Sequence, residues 1–486
     1  MKSLPSLFTV TFGLALVATS AGAQSFAYVS NEGSHDISGY SVNGSTGALT
    51  PIPGSPFASG VGPLVAAITP SGQFLYVPNY PCEFGCDITQ PSDVWAYRVN
   101  TTTGALVPVP GSPFPAGAGP YAATVSPTGR FVYVTNFFSN DVSVYRINAA
   151  TGALSPIAGS PFPTGVGPIN LAIIPSGRFA YVANDSSNDV WAYAVNATTG
   201  ALTPIPGSPF AAGTNPTWVA ITASGRFAYV ANGGASSVSG YSINSSNGTL
   251  TPIAGSPFPS GGNPFALDFT PSGRFAYVPN CYSSNVWAYG VDGATGALTT
   301  VPGSPFLAGG CPVSVKIHSS GRFAYVANYY TAGVSGYGID ATTGALTPLV
   351  GSPFPTGLTP ASIVLTPGDC RKGDGDGELD GEKSGRAHFH FHKSSCERED
   401  EGDVEEDDED SGTHFHSTSI SSAIFGPEGG PPTITVIGIG LNNGMPVDFT
   451  MVATPDGQGI PATFSLVLGD GYQVAGNLVD GSVVIR

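Results

Sequence analysis

The sequence predicts an all-β chain: a seven-bladed β-propeller followed by a small C-terminal β-sandwich or β-roll module. Three observations carry this. Gly-Ser-Pro-Phe begins at Gly54, Gly111, Gly159, Gly207, Gly255, Gly303 and Gly351, spaced by 57 and then repeatedly by 48 residues, a period in the range of propeller blades. Tyr-Val-x-Asn keeps the same ruler, with tyrosines at Tyr28, Tyr76, Tyr133, Tyr181, Tyr229, Tyr277 and Tyr325. The chain also holds 66 glycines and 44 prolines in 486 residues, so almost every window of helix length is interrupted.

Residues 1–23 read as an export signal. Lys2 is the positive start, Ser6 to Thr19 is apolar but short for a membrane span, and Ala21-Gly22-Ala23 fits a cleavage site. The mature chain is then expected to begin at Gln24, to be exported to the periplasm, cell surface or exterior, and to have no transmembrane helix. Six cysteines in an exported chain read as three disulfides. Cys281 and Cys311 fall in top-face loops of adjacent blades and are expected to pair; Cys82–Cys86 and Cys370–Cys396 are the local partners that remain.

The propeller is expected over residues 24–367. In one unit, strand A runs from Trp218 to Thr222, strand B from Arg226 to Ala231, strand C from Val238 to Ile243 and strand D from Thr249 to Ile253. Ser224-Gly225 and Asn247-Gly248 supply turns between them. The first unit starts at strand B, Phe26 to Ser30, and the last supplies only strand A, Ala361 to Thr366. Together they complete the seventh blade and leave no open edge around the ring. Strand C carries Trp95, Trp191 and Trp287 in alternate blades and Ser38, Ser143, Ser239 and Ser335 in the others. This reads as large-small alternation on an outer strand rather than an aromatic binding ring. Asp268 and Lys316 occupy one height of strand A in neighbouring blades, and a buried ion pair across the seam is expected.

Charge divides the chain. Residues 24–367 hold 8 basic and 11 acidic side chains, whereas residues 368–486 hold 7 and 22. Neither part offers the basic surface that phosphate backbones require, which argues against nucleic acid as a partner. The C-terminal module, 368–486, contains Asp374, Asp376, Glu378 and Asp380 alternating with glycine or leucine, a calcium-loop likeness without the sixth-position glycine and closing glutamate of an EF-hand. His388, His390 and His392 alternate with phenylalanines, so on a strand the imidazoles share one face. Zinc or copper there is one reading; histidines facing water over an apolar inner face is the other. No cofactor is expected beyond calcium or zinc in this module. Residues 397–412 are so rich in carboxylates that a disordered loop is expected.

The Tyr-Val-x-Asn strand, with Tyr133-Val134-Thr135-Asn136 as its literal form, the Pro-Ser-Gly-Arg turn and the Thr-Gly-Ala-Leu hairpin resemble the YVTN, lactonase-like family of seven-bladed propellers. That family includes 6-phosphogluconolactonases and carboxymuconate cyclases as well as surface and binding proteins. The resemblance implies, for its enzymes, an Arg-His pair after the proline that opens strand A. This chain has Leu64-Val65, Tyr121-Ala122, Ile169-Asn170, Thr217-Trp218, Phe265-Ala266, Val313-Ser314 and Ala361-Ser362 there. Lactone chemistry needs a proton-transfer group beside a polarising donor. The remaining catalytic candidates are Glu32, His35, Glu83 and Asp87. For Tyr80, Tyr121, Phe137, Asp185, Trp218, Phe265 and Tyr329 two readings stand: a weakly acidic, aromatic mouth on the top face, suited to stacking on sugar rings or peptides, or aromatics packed between the blades. The reading is a monomeric exported scaffold that binds a glycan, peptide or cell-surface protein, with a lactonase or cyclase as the alternative.

Overall fold

The computed structural model describes residues 25–80 and 92–367 with their side chains, and the strand backbone of the C-terminal part. Seven antiparallel sheets form the ring. In the fifth blade strand A is Pro216–Ile221, B is Phe227–Asn232, C is Ser237–Ile243 and D is Leu250–Pro252. A fifth strand, not anticipated, appears in every blade: the phenylalanine of Gly-Ser-Pro-Phe and the next residue pair with the start of strand C, as Phe258–Pro259 does here. Proline suits this place because an edge strand can lack a donor. The ring closes as expected, with Pro360–Leu365 pairing antiparallel to Phe26–Asn31.

Each seam between blades is one apolar cluster built from two neighbouring sheets, such as Tyr181, Val190 and Ala192 against Val219, Val230 and Tyr241. Two tyrosine hydroxyls cross every seam in opposite directions. The strand B tyrosine, at most 1% exposed, donates to the glycine carbonyl of the next blade's C–D hairpin: Tyr133 to Gly200 at 2.9 Å, Tyr181 to Gly248 at 2.8 Å, Tyr325 to Gly47 at 2.8 Å. The strand C tyrosine donates backwards, as Tyr193 does to the Pro163 carbonyl at 2.7 Å. The hairpin glycine is required twice over: Gly200 has φ 80, and a Cβ there would lie 2.6 Å from the Phe131 ring.

The strand C alternation is structural. In serine blades the hydroxyl accepts the amide of the buried asparagine that ends strand B, as Ser143 does from Asn136 at 2.9 Å. In tryptophan blades the indole packs on the strand C tyrosine instead, with Trp191 and Tyr193 centroids 6.1 Å apart. Asp268 and Lys316 do pair, at 3.6 Å, but they are 24% and 35% exposed. They line the central channel, a space of about 500 Å³, so the expectation of a buried pair is corrected. Strand A is innermost in the ring yet wet on its channel face.

The C-terminal part holds eight antiparallel strands, from Lys372–Gly381 to Gln473–Ile485, paired in a closed order. Asp403–Asp408, inside the stretch expected to be a loop, is one of these strands. Among the described residues no helix is long and apolar enough to cross a membrane.

Tyr181→Phe leaves the Gly248 carbonyl buried without its donor and should cost about 1–3 kcal/mol, read as a lower urea midpoint with an unchanged slope. For Asp268→Ala and Lys316→Ala, a double-mutant cycle should give a coupling of only about 0–1 kcal/mol, as for solvent-screened pairs.

Candidate functional site

The top face is built from one repeated turn. Strand B ends in a buried asparagine whose amide holds the start of strand C, as Asn184 holds Asp189 at 2.8 Å. The following residue is therefore turned out onto the top face at the same place in every blade. Its N–H donates to the carbonyl of the residue before the proline that opens strand A: Tyr80 to Gly62, Asp185 to Gly167 and Tyr329 to Cys311, at 2.8–2.9 Å. These acceptor residues are all left-handed, from Gly62 at φ 66 to Thr359 at φ 48. The backbone thus fixes a ring of variable side chains: Glu32, Tyr80, Phe137, Asp185, Gly233, Cys281 and Tyr329.

On one side of this ring opens a cavity of about 550 Å³. Five of the expected residues line it: Tyr80, Tyr121, Phe137, Asp185 and Phe265. Tyr80 and Tyr121 meet edge to face at 5.9 Å, and Tyr121 and Phe137 lie 6.3 Å apart. Trp218 does not belong to this mouth. It lines the channel below and packs against the seam clusters between the fifth and sixth and between the sixth and seventh blades. Tyr329 and Glu32 stand behind the wall, joined by a 2.8 Å hydrogen bond from the phenol to Oε2, and Glu32 is buried.

His35 has a different task from the one considered in the sequence. It is exposed, left-handed at φ 57, and its Nδ1 accepts the Gly62 N–H at 3.1 Å. Asn140 and Asn188 stand at the same place in their blades and accept the Gly167 and Asn215 N–H groups in the same way. His35 is therefore, like Asn140 and Asn188, a tie to the next blade. Glu83, Asp87, Cys82, Cys86, Cys370 and Cys396 lie outside the described residues, as do the side chains of His388, His390 and His392. Cys281 and Cys311 are bridged, as expected.

Several lining residues escaped the sequence reading: Asn215, Asn263, Tyr282 and the Gly233-Gly234 pair. The available signal was asparagine immediately before a strand-opening proline, where three other blades carry glycine and a left-handed turn is required. Asn215 Nδ2 lies 3.3 Å from Asp185 Oδ1. Burial raises the Asp185 pKa above the ordinary 3.8, and the hydrogen bonds from Asn215 and Ser186 partly offset it. Burial, then the charges of Glu32, Tyr80, Tyr329 and Asp185, push the Tyr121 phenol far up, so it stays a neutral donor. Among the described residues no lysine, arginine or histidine lines this cavity.

A Cβ at position 234 would lie 2.5 Å from Asn215 Oδ1. Gly234→Ala should therefore displace Asn215 and raise the Asp185 pKa further, seen by NMR titration of the carboxyl carbon. A carboxyl with a raised folded pKa destabilises the fold as pH climbs from 3.8 through that value. Asp185→Asn should remove this part of the pH dependence of unfolding.

Residues 23–309 match the family described as Lactonase, 7-bladed beta-propeller. Among solved structures, the propeller is similar to a putative 6-phosphogluconolactonase from Bacteroides uniformis, with a TM-score of 0.62 and 18% identity. It is also similar to one from Bacteroides fragilis at 0.61 and 20%, and to the periplasmic gluconolactonase PpgL of Pseudomonas aeruginosa at 0.60 and 21%. Each comparison covers 71% of this chain and 99% of the other. No curated protein matches the sequence. With more than half its length matched, the chain belongs to the lactonase family of seven-bladed β-propellers.

Proposed function

We propose that this chain hydrolyses uncharged sugar lactones at the top-face mouth. The observation that carries the reading is that the Asp185 carboxylate and the neutral Tyr121 phenol line the same aromatic cavity, which has no lining cation among the described residues. Asp185 takes a proton from water as its oxygen adds to the lactone carbonyl. Tyr121 donates to the oxygen on which negative charge grows. The ring C–O bond then breaks, and Asp185 returns the proton to the departing alkoxide. The hydroxy-acid product ionises, and its carboxylate is repelled by Asp185 and by Glu32 behind the wall, which favours release. A phosphorylated lactone would meet the same repulsion on the way in, so the neutral substrate is preferred. The export signal expected over 1–23 and the Cys281–Cys311 bridge support an exported enzyme.

Gluconolactone hydrolysis, followed by proton release in weak buffer, tests this. Asp185→Asn should lower kcat by about 100-fold or more, and the acid limb of wild-type kcat/KM should lie above pH 3.8, the ordinary carboxylate value. Equal rates for wild type and Asp185→Asn would end the proposal. The second reading, a glycan- or peptide-binding scaffold, draws on Tyr282 and Tyr330, which are 80% and 72% exposed on top-face loops. It would be favoured by glycan binding that Tyr282→Ala abolishes in a protein without lactonase activity.

A further inference from the structure

We propose that the Cys281–Cys311 disulfide is a positioning device for the mouth, beyond joining two blades. The inference rests on the lactonase reading for its kinetic arm only.

Cys281 belongs to the sixth blade and occupies the variable top-face position that Glu32 and Asp185 hold elsewhere. Cys311 precedes the proline opening strand A of the seventh blade, and its φ is 54. At this turn three blades use glycine and two use asparagine, the residues that tolerate a left-handed backbone. A cysteine, like Thr359 at φ 48 in the first blade, is conformationally disfavoured there, and the disulfide gives this cysteine its partner across the seam. Phe265 and Tyr329 both pack on the small cluster of Cys281, Cys311 and Val313. Phe265 is a wall of the cavity. Tyr329 donates its N–H to the Cys311 carbonyl at 2.9 Å and its hydroxyl to Glu32 at 2.8 Å. A continuous line of contacts therefore runs from the sixth blade through the disulfide to Tyr329 and on to Glu32 in the first blade. Phe265, packed on the same cluster, belongs to the cavity wall that also contains Asp185 of the fourth blade.

The disulfide thus acts on how the ligand is held, not on proton transfer. The test is the double variant Cys281→Ala/Cys311→Gly, in which glycine keeps the left-handed turn unstrained so that the propeller still folds. The expected result is a KM for gluconolactone raised roughly tenfold with kcat within about twofold of wild type, the split that follows when binding common to ground and transition states is lost. A purely structural bridge would lower the folded fraction, and with it the apparent kcat, while leaving KM alone. An unchanged KM overturns the proposal. If the wild-type protein hydrolyses no lactone, the lactonase reading falls by itself, and a crystal structure of the double variant decides the brace. A Tyr329 hydroxyl moved beyond about 3.5 Å from Glu32 supports it; a Phe265 ring and a Tyr329–Glu32 bond left in place overturn it.

Discussion

A propeller is a ring of sheets that stand side by side without backbone hydrogen bonds between most of their strands, so everything depends on what crosses the seams. Here the crossing is made by a buried phenol. The strand B tyrosine gives its hydroxyl to a glycine carbonyl of the next blade, from Tyr28 with Gly104 round to Tyr325 with Gly47. Burial raises these phenols well above their ordinary pKa, so they remain donors at any physiological pH. The same hairpin accepts guanidinium contacts on its outer side. Arg178, for example, lies 5.3 Å above the Phe179 ring and donates to the Ser245 carbonyl at 3.2 Å. Where Gln73 replaces the arginine, Arg98 reaches over Phe74 from strand C at 4.9 Å. Tyrosine, glycine, phenylalanine and arginine thus recur together because they form one joint.

With cohesion carried by that joint and by the apolar seams, the top-face residue after each strand B asparagine has no structural duty common to all blades. Its backbone is held by a hydrogen bond that any residue can make, and its side chain is left open to variation. The result is a ring in which Glu32, Tyr80, Phe137, Asp185 and Gly233 follow one another at equivalent positions. The two propeller histidines fall outside this freedom. His35 ties one loop to the next, and His318, at the other end of strand A, contacts Ser320 and Ser25 where the chain enters its first strand.

The repeat period exposed the blade count, the ring closure and most strand positions to within a residue or two, because each blade repeats the same buried side chains. The disulfide was legible for the same reason: equivalent positions in neighbouring blades are near in space. What stayed hidden depended on wetness and on small residues. The channel face of strand A is hydrated, so Asp268 and Lys316 pair without being sealed off. The fifth strand was masked by its prolines, which make an edge strand look like a loop. Asn215 and the Gly233-Gly234 pair carry no motif of their own; their part in the site arises only from standing beside Asp185.

That dependence on neighbours explains why the mouth is lopsided. In a ring of seven, the fifth blade lies opposite the first and second. The first and second blades fill their side with Glu32 and Tyr80, whereas the fifth presents Gly233 and Gly234 and leaves its side open. The space therefore runs from Tyr80 of the second blade past Tyr121 and Asp185 to Asn215 and Phe265 of the fifth and sixth. A sevenfold repeat cannot by itself make a site, because equal loops would enclose only a symmetric rim. The site exists because one blade gave up its side chain at the position where its neighbour kept a carboxylate.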